Sequence, residues 1–292
     1  MKNLPRIGLA GFCACLLVCF SLVLFSSPAA AADKKPVRLV YVEWPCAVAT
    51  TYIAKVVIEE KLGHPCEILP VSVAVKYQSL ALGEADATVC AWLPNTQKTY
   101  WETVKGKVED LGPIVGGAKI GWVVPDYVPY TSIEELKGKA AEFDGKIYGI
   151  DPGAEYMTTS EKAIKEYGLD GFTLEEGSDA VMVAMLADAV KRNKPVIVTG
   201  WAPHWKFGRW DLHFLDDPKK LFGEEEEIHT LVRKGLKEDM PGVYAFLDKF
   251  SYVDTKQLQM EMAKNEEKGA DPEATARKFV AEHPEQVAGW LK

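Results

Sequence analysis

Apolar positions along the chain alternate between β-like runs and helical faces, and the alternation occurs twice. Val37-Arg-Leu-Val-Tyr-Val-Glu43 is rich in β-branched and aromatic residues and predicts a strand ending at Trp44-Pro45. Residues 47–61 carry apolar side chains at helical spacing (Val48, Tyr52, Val56, Ile58) and stop at Gly63. Cys66-Glu-Ile-Leu-Pro70 predicts a second strand, residues 73–82 a second helix closed by Gly83, and residues 86–91 a third strand closing on Trp92. The order then returns. A strand at 146–150 leads through Asp151-Pro-Gly-Ala-Glu-Tyr156 into a helix reaching Tyr167. A short strand at 172–175, a helix at 178–190 capped by Ser178, and a strand at 196–199 closing on Trp201 complete it. Two βαβαβ units in one chain predict an α/β protein with an internal duplication.

Each unit ends in Trp-x-Pro, first in Ala91-Trp-Leu-Pro-Asn-Thr96 and then in Gly200-Trp-Ala-Pro-His-Trp205. Doubly wound sheets bind ligands outside the carboxyl ends of their strands. The two motifs therefore predict a cleft lined with indole, one wall from each unit. Leu111-Gly-Pro-Ile-Val-Gly-Gly117, followed by Lys119-Ile-Gly-Trp-Val-Val124, suits a crossover between the units, and Trp210-Asp-Leu-His-Phe-Leu215 suits the return. From about Met240 the pattern is helical, at 241–250, 254–268, 271–282 and from Pro284, and this tail is expected to pack on the first unit. The run Glu224 to Glu227 reads as a solvated turn.

A chain of 292 residues that is 48% apolar and 26% charged can build two modest cores. Its net charge of -8 argues against nucleic acid or an anionic membrane as partner and is permissive for a cationic ligand. Lys2 and Arg6 precede an apolar stretch at 7–25, and Ser26-Ser-Pro-Ala-Ala-Ala-Ala32 follows with small residues. That is the pattern of a signal peptide (1–32) cleaved near Ala32, so the mature protein is expected in the periplasm without stable membrane insertion. Cys46, Cys66 and Cys90 then remain. Cys46 and Cys90 fall at carboxyl ends of neighbouring strands and Cys66 at the opposite end, so one pair and three unpaired thiols are both open. No Gly-x-Ser-x-Gly elbow, His-Glu-x-x-His, phosphate loop or Cys-x-x-Cys occurs, and the five histidines show no metal spacing. Neither catalysis nor a metal or cofactor is expected.

Trp44, Trp92 and Trp201 each follow a predicted strand on the cleft side, while Trp122 sits in the crossover and Trp205 just beyond Trp201. An indole face attracts a cation, and a quaternary ammonium suits an aromatic cage because it carries charge without an N–H to donate. The remote alternative from another class is an exported hydrolase or lyase acting on methylated amines, with Cys46 or His204 as its reactive groups.

Tyr41-Val-Glu-Trp44, Ala91-Trp-Leu-Pro-Asn-Thr96, Gly121-Trp-Val-Val-Pro125, Gly149-Ile-Asp-Pro-Gly153, Gly200-Trp-Ala-Pro-His-Trp205 and Ile228-His-Thr-Leu-Val-Arg-Lys-Gly-Leu236 occur in one order over residues 37–255. In this the chain resembles the glycine betaine/proline betaine substrate-binding proteins of ABC importers. The resemblance implies a two-lobed periplasmic-binding-protein fold (type II), each lobe a doubly wound sheet flanked by helices, with two hinge crossovers. Lobe 1 would comprise 33–119 plus 215–292 and lobe 2 residues 120–214. It implies a monomer that works with ABC transporter membrane subunits, and a cage of Trp44, Trp92 and Trp201 around a trimethylammonium group. Where members of the family often place a carboxylate-binding His, this chain has Gln97. Where they read Pro-Gly-Ala-Gly, it reads Pro152-Gly-Ala-Glu155, with Tyr156 next. Trp122 stands where an aliphatic residue is usual. The expected ligand-binding set is Trp44, Trp92, Trp201, Gln97, Glu155, Tyr156, Trp122 and His204. Glycine betaine or proline betaine is the first ligand expected, with choline, carnitine or another methylated amine as alternatives.

Overall fold

The computed structural model describes residues 34–292. The expected signal peptide, residues 1–32, lies outside the described residues. The β-branched run at the start forms β1 (Val37–Tyr41), and α1 (Pro45–Glu60), β2 (Cys66–Pro70), α2 (Val73–Leu82) and β3 (Ala87–Leu93) complete the first unit. Pro45 opens α1, where a missing N–H costs nothing. Ser72 caps α2 by accepting from Val75 N at 3.4 Å, and Gly83 ends it in the left-handed conformation (φ 73°). Next come α3 (Lys98–Val104) and β4 (Val108–Pro125). The second unit is β5 (Lys146–Tyr148), α4 (Glu155–Glu166), β6 (Thr173–Glu175), α5 (Asp179–Lys191) and β7 (Ile197–Ala202). Ser178 caps α5 as its sequence predicts, accepting from Val181 N at 3.3 Å.

After β7 the chain forms α6 (Lys206–Arg209), β8 (Leu212–Phe214), β9 (Glu226–Arg233), α7 (Leu236–Asp239) and four tail helices: α8 (Pro241–Lys249), α9 (Thr255–Asn265), α10 (Pro272–Glu282) and α11 (Pro284–Trp290). The tail packs on the first unit, α9 and α10 covering α1 and α8 and α9 touching β4. None of the described helices is long and apolar enough to cross a membrane.

The strands run in the order β2-β1-β3-β9-β4-β7-β5-β6, with β8 paired to β4. Parallel pairing within each unit follows from its crossover helices, as β1–β2 and β5–β6 show. Antiparallel pairing joins the units. From Val108 to Ala118, β4 pairs with β9; from Lys119 to Val123 it pairs with β7. Residues 111–124 therefore lie within one irregular strand paired first to β9 and then to β7, in the stretch that the sequence reads as a crossover between the units. Glu226 is a second correction. It is 3% exposed rather than solvated, because it begins β9, which lies between β3 and β4. Buried Asp86, 1% exposed, fixes β9 to the first unit through Arg233 Nε at 2.7 Å and the amide of Arg38 at 2.8 Å.

Where β4 and β7 pair, Gly121 stands opposite Gly200. A Cβ on Gly200 would lie 2.2 Å from Val123 Cγ2, inside a fully buried side chain. Gly200→Ala should therefore destabilise the protein by about 1–3 kcal/mol through overpacking. Thermal denaturation checks this, and Val123→Ala added to it should recover part of the loss.

Candidate functional site

Trp44 leaves β1 and stands at the start of α1, Trp92 is the penultimate residue of β3, and Trp201 is the penultimate residue of β7. Both Trp-x-Pro motifs turn at a cis peptide, Leu93-Pro94 and Ala202-Pro203. The three indoles line one small cavity together with Val73, Thr96, Gln97, Ile120, Ile150, Ala154, Glu155 and Tyr156. Its lining is mostly apolar, with few polar groups, as in small-molecule sites. All three tryptophans are buried, and the indole N–H groups of Trp92 and Trp201 have no acceptor among the described residues.

Three residue pairs are hydrogen-bonded between the walls. Trp44 Nε1 donates to Asp151 Oδ2 at 3.4 Å. The backbone N–H of Thr99 donates to both carboxylate oxygens of Glu155 at 3.1 and 3.3 Å. Tyr100 OH donates to the carbonyl of Gly153 at 2.8 Å. Glu155 thus spends its charge at the first turn of α3, where a helix favours an anion. Burial nonetheless raises its pKa, more than the Thr99 bond lowers it.

Tyr156 lines the cavity and also fastens its floor. Its hydroxyl accepts from the N–H of Gly200 at 2.7 Å and of Gly121 at 3.2 Å, and donates to the carbonyl of Gly121. Burial raises its pKa, so the phenol stays protonated. Gln97 is the N-cap residue just before α3 and is 1% exposed.

Trp122 and His204, the other two residues expected at the site, are not among the cavity-lining residues. Trp122 is fully buried, with Nε1 donating to Ser160 Oγ at 3.1 Å and its ring edge-on to Phe222 at 5.7 Å. Two residues along β4 from the cavity-lining Ile120, Trp122 shares its side of the strand but lies farther along, where its indole meets Ser160 of α4 instead of the cavity. His204 Nε2 donates to Asp179 Oδ1 at 3.1 Å while Nδ1 accepts from the amide of Lys206. Burial, and then the neighbouring Lys206, lower its pKa to about 4, so it is neutral. Its ring lies edge-on to Trp201 at 4.7 Å, behind the box rather than in it.

Sequence reasoning did not find several supports. Glu226 accepts from the backbone N–H groups of Asn95 and Thr96 at 3.0 and 2.9 Å and from the Thr96 hydroxyl, holding the turn after Trp92. Lys206, fully buried, places Nζ 4.4 Å from the Trp201 ring centroid. Lys76 on α2 is buried against Gln97. The apolar helical spacing Val73, Tyr77, Leu80 carries the only signal for it, since Lys76 falls on that same face. Cys46 and Cys90 do meet, as free thiols with Sγ atoms 3.6 Å apart, while Cys66 is buried elsewhere.

Removing the Tyr156 hydroxyl should leave the Gly200 and Gly121 amides short of a partner. Tyr156→Phe is expected to lose about 1–3 kcal/mol of stability, measured by urea unfolding, and to loosen the cavity floor.

A family model described as the substrate binding domain of ABC-type glycine betaine transport systems matches residues 35–282. A glycine betaine/carnitine transport binding protein of Listeria monocytogenes is 42% identical over 164 residues, 56% of this chain and 53% of that protein. The matched part of the chain thus spans about half the length of that curated relative. The structure superposes on lactococcal OpuAC, in its closed conformation with glycine betaine, with a TM-score of 0.83 and 40% identity, covering 89% of this chain and 100% of the other. An ABC-transporter choline binding protein in complex with choline gives a TM-score of 0.81 at 27% identity over 88% and 92% of the two chains. The fold is the two-lobed α/β fold of periplasmic binding proteins.

Proposed function

The chain belongs to the family of substrate binding domains of ABC-type glycine betaine transport systems, and from that membership and the three-tryptophan box we propose that it is an exported receptor for a quaternary ammonium solute. It captures the ligand, glycine betaine or a related methylated amine, between its lobes and delivers it unchanged to the membrane subunits of an ABC transporter. The observation that carries this reading is the convergence of Trp44, Trp92 and Trp201, from both units, on one small apolar cavity. Desolvated indole faces attract a cation by ~2 kcal/mol or more. The relatives' printed descriptions as transport binding proteins favour binding over catalysis. Cys46, the nucleophile considered above, is buried under the site with its pKa pushed up by the bond to Cys90 and by burial, which makes it a poor thiolate.

The proposed lobes are 33–119 plus 215–292, and 120–214. In support, β4 exchanges β9 for β7 between Ala118 and Lys119. The bonds Thr99–Glu155, Tyr100–Gly153 and Trp44–Asp151 then cross from one lobe to the other. Ligand stabilises this closed arrangement because only here do all the walls touch it. Residues 1–32 serve as the export signal to the periplasm, where the receptor acts as a monomer.

Titration with glycine betaine, choline and carnitine should change the tryptophan fluorescence, and the recovered ligand should be chemically unchanged. Trp201→Ala should weaken binding about 30-fold or more, the loss of one cage wall. Silence toward every quaternary amine, or turnover of one, would overturn the proposal.

A further inference from the structure

Lys76 is 1% exposed, and no carboxylate lies within salt-bridge distance of it among the described residues. A buried ammonium without a counter-ion is costly and calls for a reason. Its Nζ donates to the carbonyl of Cys90 at 2.9 Å and to Gln97 Oε1 at 2.9 Å. Gln97 Oε1 also accepts from Tyr77 OH at 2.9 Å and from the Trp92 amide at 3.3 Å. Three donors on one oxygen settle the orientation of the amide, since an ammonium can only donate. Gln97 Nε2 is thereby turned away from Lys76. It is buried, lines the box, and has no partner among the described residues.

Resting on the receptor reading above, we propose that Lys76 is a specificity-determining positioning residue. It locks Gln97 with its N–H groups toward the ligand, and its charge selects ligands that carry an anionic oxygen opposite their quaternary ammonium. An orphaned buried donor is satisfied by an acceptor and penalises a group that cannot accept. A carboxylate answers both Nε2 and the ammonium behind it, through the polarised amide. Glu155, the other charged group on the wall, has both its oxygens on Thr99 N, so Gln97 Nε2 is left to the ligand. The positive end of the ligand is left to the indoles and the negative end to the Gln97–Lys76 pair.

The test compares glycine betaine with choline, which shares the trimethylammonium and replaces the carboxylate by a hydroxyl. The protein should prefer glycine betaine, and Lys76→Met should reduce that preference about 10-fold or more while choline affinity changes little. Gln97→Glu should reject glycine betaine and retain choline. A pH series on the unaltered protein serves even if the variants do not fold. Burial lowers the Lys76 pKa to about 8, so the ammonium is present below that pH and lost above it. The preference should be full near neutral pH and fall as pH rises through about 8, where neither ligand titrates. Of the groups facing Lys76, Tyr77 is pushed up by burial and stays protonated, and Cys46 is pushed up as well. Cys90 is lowered by its bond to Cys46 and by Lys76, and its ionisation acts in the same direction. Cys90→Ser separates that contribution and should leave the pH dependence in place. Equal affinity for the two ligands, or an equal loss of both in Lys76→Met together with a flat pH profile, overturns the inference alone. Binding of neither ligand overturns the receptor reading, and the inference with it.

Discussion

A single strand carries the geometry of the box. β4 runs for 18 residues and is hydrogen-bonded to both sheets. Trp201 is registered against Ile120 of β4, and Trp92 against Ile228 of β9, which in turn stands opposite Val115 of β4. Two of the three indoles are therefore placed by backbone ladders that meet within a few residues of one another. The irregularities in that strand, between Asp110 and Gly112, Pro113 and Val115, and Val115 and Ala118, bend it where it passes from one sheet to the other.

Much of this frame was legible in the sequence, because each βαβαβ unit is local. Strand runs such as Val37–Tyr41 and helical faces such as Val73–Leu82 declare themselves by period, and Gly83 and Ser178 mark helix ends by backbone chemistry. The tryptophans were found because they recur at equivalent places in two units. What stayed hidden depends on distant partners. A run of four glutamates, 224–227, leads into β9 and looks like solvent-facing chain, yet the strand fills the gap between β3 and β4, and Glu226 is buried with two amides and a hydroxyl donating to it. Lys76 looks like a surface residue until the fold supplies the Cys90 carbonyl and Gln97. Trp122, two residues along the same strand from a cavity-lining position, is buried against Ser160 of α4, a partner that motif order alone could not show.

Buried lysines flank the box on both sides, and their roles are different. Lys76 touches the polar end through Gln97, whereas Lys206 lies 4.4 Å from the Trp201 ring centroid with no hydrogen-bond partner for Nζ among the described residues. Burial lowers the Lys206 pKa to about 8, with Asp179 partly opposing. Asp179 is also the acceptor of His204, which remains neutral, so the acid answers one charge and not two. An ammonium held against Trp201 draws on the same ring quadrupole that would attract a ligand cation. Trp201 is thus held by a buried ammonium as well as by its strand.

Closure does not depend on ligand contacts alone. Thr99–Glu155 and Tyr100–Gly153 join the walls by groups that need no ligand, and each such bond contributes about 0.5–1.5 kcal/mol, with the charged one somewhat more. Against this stands the burial of two indole N–H groups without acceptors and of Gln97 Nε2. A ligand that places a cation among the indoles and an acceptor before Gln97 would satisfy a buried donor as well as add contacts to the walls.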